Sequence, residues 1–475
     1  MADLHETKTV QKKALLVGLQ LPKISSEESQ ASLAELGRLV TTLGYQVVGS
    51  MSQRRNSSSG AIVLGEGKLK EMAKWTGGPG QVQASFEAKK SKAAEKFTQD
   101  ADGEDLPPPA EPDPFEDSED LGETSGPTQK ADVVVFDVDL TPSQLRNLES
   151  ASGVQVLDRT GVIIEIFSRH ARTRAARLQV EIARLNYLAP RMRETGTGSD
   201  RQGGGIGGKG AGETAYELDR RRIRDRVKEL KAELQEVQSE HSVRRSRRAV
   251  ENSVALVGYT NAGKSSLMRA MTGSEIYVAD KLFATLDTTV RPIVPETKPR
   301  ILLSDTVGFI KKLPHDLVAS FRSTLDEALN ADLLFYVVDA SDPTFRSQLK
   351  VTQDVLAEIG ASDFESRLLL NKKDRLTSEQ LNDLKAEFPE AIFLSTRDPQ
   401  DLEDLRQVMI QFFEKDMVEE EVFIGYTVQG AVGEVRGHMR VLDEKFDENG
   451  VTFRVRAEAE QLNRLREKFD LRLKK

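Results

Sequence analysis

The sequence contains no cysteine. That excludes disulfide bridges and thiolate metal sites, and it makes a reducing compartment the simplest setting. No stretch approaches the roughly 18 uninterrupted apolar residues of a membrane-spanning helix. The opening MADLHETKTVQKK lacks an apolar segment and carries acidic residues early, so it reads as neither a signal nor a transit peptide. A cytoplasmic protein is expected. One absence is local: from Phe97 to Gln129 there are 11 acidic residues and neither Lys nor Arg.

That segment explains the overall charge. Removing its 11 negative charges from the net of −9 leaves +2 for the rest of the chain. Between Arg169 and Arg248 the balance reverses, with 20 basic and 11 acidic residues, a local net of +9. A basic unit within such a chain points to a polyanionic partner. A solvated outer helix face is the plainer reading of the same residues, and so is a solvated insertion for the acidic run, which could otherwise mimic nucleic acid. At 475 residues the chain is too long for one core, and several units are expected.

Strand and helix signals alternate at the start. Lys13 to Leu21 reads as a buried strand, Ser26 to Gly44 as an amphipathic helix, Gln46 to Ser50 as a second strand, and Ala61 to Trp75 as a further strand–helix pair. Residues 76–130 lose all periodicity and hold too little apolar surface to offset ordering entropy, so disorder is expected. Order resumes with the strand ADVVVFDVDL, a helix from Pro142 to Ala151, and strand character again over Val154 to Phe167. Residues 1–75 and 131–165 are thus expected to form one α/β domain around an insertion.

In 166–250, Leu178, Ile182, Leu185 and Ala189 step by four, three and four, as do Ile223, Val227, Leu230, Leu234 and Val237 with one further step of three. Such a/d seams predict an antiparallel helical hairpin. Between the seams, Gly203 to Gly212 places seven glycines in ten residues, a loop able to approach a phosphate backbone.

The chemistry lies in 251–415. A strand, Ser253 to Val257, leads into Gly258-Tyr259-Thr260-Asn261-Ala262-Gly263-Lys264-Ser265 and then a helix from Ser266 to Met271. This is G-x-x-x-x-G-K-[ST] in its strand–loop–helix context. Its glycines let backbone N–H groups wrap phosphates, Lys264 reaches the β- and γ-phosphates, and Ser265 can ligate Mg²⁺. A second apolar strand, Arg300 to Leu303, ends in Asp305-Thr306-Val307-Gly308. Its carboxylate can hold the Mg²⁺ shell and its glycine amide can sense the γ-phosphate. After the strand Arg367 to Leu370 comes Asn371-Lys372-Lys373-Asp374. A carboxylate there accepts from guanine N1 and N2, and adenine would leave it unpaired, so GTP is the implied nucleotide. A threonine in Phe283-Ala284-Thr285-Leu286-Asp287-Thr288-Thr289 is expected to complete the Mg²⁺ shell. Spacing does not choose among Thr285, Thr288 and Thr289. Phe309 stands where many GTPases place a water-orienting glutamine, so slow unassisted hydrolysis and a partner that completes the site are expected.

Together these motifs resemble the HflX family of ribosome-associated GTPases. The resemblance lies in GYTNAGKSSL, LFATLD, DTVGFIKKLPHDLVASFRSTLDE and NKKD, in GGKGAGETAYELDRRRIRDR (Gly207 to Arg226), and in VVGSMSQRR (Val47 to Arg55). It covers about 13–75 and 131–415. It implies binding to the large ribosomal subunit, through rRNA and ribosomal protein, and the dissociation or monitoring of stalled or idle ribosomes. It implies Thr285 as the switch Mg²⁺ ligand and, with Lys264 and Gly308, a catalytic residue; it also implies that Phe283 to Asp287 line the nucleotide, that a hydrophobic residue at Phe309 accompanies ribosomal activation, and that Asn261 brings potassium dependence. The sequence departs from the family at Thr288, usually Pro, at Ser395-Thr396-Arg397, usually Ser-Ala-Lys, and in the acidic insertion. A GTP-controlled RNA-binding protein acting off the ribosome is the alternative. Residues 416–475, with an acidic run at Glu419 to Glu421, strand patterns at Val422 to Val428 and Val451 to Arg456, a short strand within Val432 to Leu442 and a final helix from Ala459 to Leu473, predict a small α+β domain. A monomer is expected.

Overall fold

The computed structural model describes residues 11–22, 24–82, 129–192, 215–248, 252–273, 282–283, 289–298, 300–313, 329–360, 364–415, 417–428 and 430–469. The acidic run, the glycine loop and residues 284–288 lie outside them. Two compact units emerge: Met1–Ile166 with Asn186–Arg220, and Phe167–Leu185 with Arg221–Lys475. Among the described residues no helix is long and apolar enough to cross a membrane.

In the first unit, β1 (Lys13–Gln20), α1 (Ser26–Thr42), β2 (Gln46–Arg54), α2 (Glu66–Thr76), β3 (Val133–Phe136), α3 (Pro142–Ser152) and β4 (Gln155–Asp158) build a parallel sheet of order β2-β1-β3-β4. The near-continuous apolar runs of β1 and β3 fit strands covered on both faces. Leu15, Val17 and Phe136 pack with Met72 and Trp75 of α2 and Leu148 of α3. Gly49 has a reason: a Cβ there would stand 2.4 Å from the Trp75 ring.

Ala61 to Leu64 correct the expectation of a strand; they form bends, not a ladder. Val63 and Leu64 are buried all the same, because side chains of α3 hold the loop: Gln144 donates to the carbonyls of Ser58 and Gly60, both at 2.7 Å, and Asn147 to that of Ala61 at 2.9 Å. The second correction is Thr160 to Phe167, expected as strand and found in α4 (Arg159–His170). Val162, Ile163, Ile164, Ile166 and Phe167 are all buried, and so short an apolar run rich in β-branched residues reads as a buried strand as readily as a buried helix. Asp158 starts it by accepting the Gly161 N–H at 2.8 Å.

A buried ionic cluster stitches this unit together. Arg159, 1% exposed, donates to Asp137 at 2.9 Å and pairs with Glu35. Asp158, fully buried, also accepts from Leu140 N, the Tyr187 hydroxyl at 2.7 Å and Arg191 at 3.0 Å. Burial and the Asp158 charge push the Tyr187 hydroxyl pKa well above its ordinary value.

The helical seams meet as their spacing predicts. In the hairpin of α5 (Arg174–Leu188) and α6 (Ala215–Arg248), Leu178 and Ile182 pack with Leu230 and Val237, flanked by Leu185, Val227 and Leu234. The interhelical ion pairs Glu181–Arg226 and Arg174–Glu233 step in opposite chain directions, the register of an antiparallel pair.

The second sheet has order β10-β9-β8-β5-β7-β6, from β5 (Asn252–Val257), β6 (Thr289–Pro292), β7 (Ile301–Asp305), β8 (Leu333–Asp339), β9 (Ser366–Asn371) and β10 (Ile392–Phe393). All pairings are parallel except β6 with β7. Alternate residues of β5 enter different cores. Val254 and Leu256 join α7 (Lys264–Thr272) and α10 (Pro399–Glu414), while Ala255 and Val257 join α8 (Phe345–Glu358). Both faces are therefore covered, with α9 (Ser378–Glu387) contributing Leu384 to a further cluster.

Beyond α10, β11 (Val418–Gly425), α11 (Ala431–His438), β12 (Arg440–Phe446), β13 (Gly450–Ala457) and α12 (Ala459–Phe469) form an antiparallel sheet of order β11-β13-β12 with two helices. Two sequence expectations change here. Val432 to His438 are helical, not strand: Ala431, Val435 and Met439 recur every four residues and are buried. The short acidic run Glu419 to Glu421 lies inside β11, where Arg456 pairs with Glu419 and Arg466 with Glu420.

Candidate functional site

The site forms where β5, β7, β8 and β9 end, the usual ligand position of an open parallel sheet. β5 runs into the loop Gly258 to Gly263, and α7 begins at Lys264. The loop needs its glycines. Gly263 sits at φ +97, and a Cβ there would fall 2.2 Å from Asn371 Nδ2; one on Gly258 would meet the Val337 carbonyl at 2.2 Å. Asn261 also adopts a left-handed φ of +63, which asparagine tolerates.

Lys264 is 6% exposed, and its Nζ donates to the carbonyls of Gly258 at 3.0 Å and Tyr259 at 2.9 Å. Burial brings its pKa down to about 8, against the opposing pull of Asp305. An ammonium so desolvated gains from meeting a phosphate anion. Ser265 Oγ donates to Asp305 Oδ2 at 2.6 Å, so the loop serine and the end of β7 already meet. The Thr260 hydroxyl is buried with no hydrogen-bond partner among the described residues, the kind of polar atom that a bound phosphate or water satisfies.

These oxygens suit a divalent cation that also takes phosphate oxygens. Among the described residues no group of three or more His, Asp or Glu could hold a metal alone. Mg²⁺ ordinarily uses one or two protein oxygens and fills the rest of its shell with phosphate and water, so Ser265 and Asp305 fit it.

The Asp305-Thr306-Val307-Gly308 segment lies along the loop. Thr306 Oγ1 donates to the Leu256 carbonyl at 2.7 Å, and Val307 is buried, so both serve the sheet. A Cβ on Gly308 would stand 3.0 Å from Lys264 Nζ and 2.8 Å from the Thr260 methyl. Phe309 is 2% exposed and packs with Ala255, Val257, Ala331, Leu334 and Leu356. Its side chain belongs to the core and offers nothing to a water molecule.

The residues expected to read the base come from β9 and the loop after β10. Asp374 accepts the Ser395 hydroxyl at 2.7 Å on Oδ1, with Arg397 at 3.7 Å from Oδ2. The serine hydrogen bond first, and the charges of Arg397 and Arg375 after it, hold its carboxyl below the usual range. It stays ionised and fixed for two N–H donors. Asn371, fully buried, donates to the Ala262 carbonyl at 2.9 Å. Lys372 reaches the Asn261 carbonyl at 2.9 Å and Asp339 at 2.6 Å. The Asn371 to Asp374 motif thus props the loop 258–263. Lys373 pairs with Asp401, whose other oxygen accepts Ser395 N at 2.7 Å; Thr396 lies between Ser395 and Arg397 in the same loop.

The structure therefore brings together the loop 258–265, Asp305 to Gly308, Asn371 to Asp374 and Ser395 to Arg397. Phe283, at φ +57 and 2% exposed, packs edge-on against Phe167 with centroids 4.6 Å apart. Ala284, Thr285, Leu286 and Asp287 lie outside the described residues. Sequence reasoning missed Asp339 and Asp401, which belong to no motif, and the side chain of Tyr259, valued only for its backbone.

Residues 253–372 match a family described as 50S ribosome-binding GTPase. Residues 170–248 match GTP-binding GTPase Middle Region, and 30–81 and 119–168 match GTP-binding GTPase N-terminal. Relatives carry the name GTPase HflX. That of Gluconacetobacter diazotrophicus is 55% identical over 461 residues, covering 97% of this chain and 98% of its own. That of Caldanaerobacter subterraneus is 34% identical over 98% of this chain and 95% of its own. That of Escherichia coli is 46% identical over 52% of this chain and 58% of its own.

Proposed function

The chain belongs to the HflX family of GTPases, and on that premise we propose that it hydrolyses GTP under the control of the large ribosomal subunit, with hydrolysis resetting a switch that dissociates or monitors stalled or idle ribosomes. The observation that carries the ribosomal part is the match of 253–372 to a family described as ribosome-binding, over the phosphate loop, Asp305 to Gly308 and the start of the base-reading motif. The basic hairpin of α5 and α6, including Arg220, Arg221, Arg222 and Arg224, supports an rRNA-facing surface.

In this reading the N–H groups of 258–265 and the start of α7 wrap the phosphates, and Lys264 neutralises charge on the transferred group. Asp374, steadied by Ser395, reads guanine N1 and N2, while the Thr396 and Arg397 backbone lies beside the base. Ser265 and Asp305, with Thr285 completing the set, would hold Mg²⁺, which would supply charge neutralisation at the phosphates. Asn261 is the residue assigned to K⁺. Water attacks the γ-phosphorus and GDP leaves. With the Phe309 ring in the core, no side chain directly after Gly308 orients that water. The large subunit, through rRNA and ribosomal protein, supplies or orders what is missing. In this reading the protein works in the cytoplasm, where that partner is found, and acts as a monomer.

The test is GTP turnover in potassium buffer, with and without purified large subunits. A rise of about a hundredfold or more is expected, within the range that a trans-acting activator gives a GTPase. No rise, despite tight GTP binding, would sink the ribosomal reading and leave the GTPase intact. Equal rates in K⁺ and Na⁺ would remove the role given to Asn261.

A further inference from the structure

The phosphate loop and the segment after Gly308 are tied at three successive points. Phe309 N donates to the Gly258 carbonyl at 3.1 Å, and Thr260 N to the Phe309 carbonyl at 2.8 Å. Lys311 N then donates to the hydroxyl oxygen of Tyr259 at 2.7 Å. The first two ties are main chain to main chain, an isolated parallel bridge that nearly any residue could make. The third depends on one side-chain atom. Tyr259 is 4% exposed, and Ile310, between the tied residues, is 1% exposed, so this tie is partly buried. Immediately beyond it Lys312 turns into the left-handed region at φ +56. The hydroxyl therefore holds the chain at its last point before that turn.

The position of this tie matters for the chemistry. Gly308 packs against Thr260 and the Lys264 ammonium so closely that a Cβ there would have no room. What 308–310 can offer a phosphate is thus main chain, chiefly the Gly308 amide, and where that amide points depends on how the following residues are fixed. In a GTPase with a polar residue after the glycine, a side chain shares this task. Here the Phe309 side chain is committed to the core.

We infer that Tyr259 is a positioning residue for GTP hydrolysis: its hydroxyl fixes 308–311 so that the Gly308 main chain is presented beside Lys264 to the γ-phosphate. The inference rests on the GTPase reading above. It assigns the loop tyrosine a side-chain role separate from the backbone cradle. GDP lacks the γ-phosphate, so its binding does not draw on this tie.

The test is Tyr259→Phe, which keeps the ring and removes only the acceptor. Affinities for GDP and for a non-hydrolysable GTP analogue are measured by titration, and the single-turnover rate of GTP hydrolysis by timed quenching, with and without large subunits. Y259F should keep its GDP affinity within about twofold. It should lose about five- to tenfold in analogue affinity, the scale of one hydrogen bond, and about tenfold in single-turnover rate. An unchanged ratio of analogue to GDP affinity with an unchanged rate would overturn the inference. So would an equal loss for both nucleotides, which is the signature of a merely structural tyrosine. If the unaltered protein failed to hydrolyse GTP both alone and with large subunits, the GTPase reading would fall first, and the two failures are thereby distinguished.

Discussion

Replacing Arg159 with alanine should cripple the first unit while leaving a measurable folded state. The side chain is 1% exposed, and its two partners are also buried, Glu35 at 6% and Asp137 at 4%. Removing the guanidinium takes a buried positive charge away from two carboxylates in a low-dielectric site. Breaking a buried pair in this way costs about 3–5 kcal/mol, well above the roughly 0–1 kcal/mol of a surface pair. A domain of this size loses about 2 kcal/mol of stability per molar urea, so the unfolding midpoint should fall by about 1.5–2.5 M. The chain contains one tryptophan. Trp75 lies in the core of this unit at 4% exposure, so its fluorescence reports the unit's own transition. Arg159→Lys should fall between, because one ammonium cannot fork to both carboxylates. Arg159→Met combined with Glu35→Gln and Asp137→Asn should recover at least half the loss by removing the uncompensated charge. A midpoint shift below about 0.5 M in Arg159→Ala would refute the reasoning, since it would mean that water reaches the carboxylates.

Lys264 gives a pH dependence of definite sign. Its folded-state pKa of about 8 lies below the ordinary 10.5, so the nucleotide-free fold binds fewer protons than the unfolded chain between those values and gains stability as pH rises through that window. Phosphate binding favours the protonated form, so GDP affinity should weaken about tenfold per pH unit above about 8; affinity that is flat from pH 7 to 9.5 in fluorescence titrations would contradict this. Ser395→Ala removes the chief hydrogen bond to Asp374. Because Asp374 is about a third exposed, the loss should sit at the low end for a charge-assisted bond, about tenfold in GDP affinity by calorimetry. Asp374 has its carboxyl pKa held low by that bond, so binding is present above it and lost as pH falls; in the variant the acid loss should begin at higher pH. Gly263→Ala would combine a φ of +97 with a Cβ 2.2 Å from Asn371 Nδ2, and should weaken nucleotide binding at least about tenfold; an unchanged calorimetric affinity would show that the loop relaxes freely.

Much of this protein is written in local pattern. The apolar runs of β1, β3, β5 and β7 are strands because β-branched and aliphatic side chains without polar alternation suit sheets covered on both faces. The seams of α5 and α6 are visible because the 3.5-residue period is a property of one helix, whatever it packs against. The phosphate loop is legible for a similar reason: its glycines and lysine act through backbone geometry fixed within a few residues.

Tertiary structure decided what local pattern could not hold. Thr160 to Phe167 form a short apolar run rich in β-branched residues that local pattern leaves open between strand and helix, and Ala61 to Leu64 skip the ladder because α3 holds their loop by its carbonyls. The destination of the Phe309 ring follows from β5, β8 and α8 converging on it. The ties that shape the site join residues far apart in the chain, 109 positions between Asn371 and Ala262 and 52 between Lys311 and Tyr259. The sequence by itself determined which residues could bind a nucleotide. Which buried polar atoms hold those residues in place depends on the approach of distant strands, and no local period encodes that.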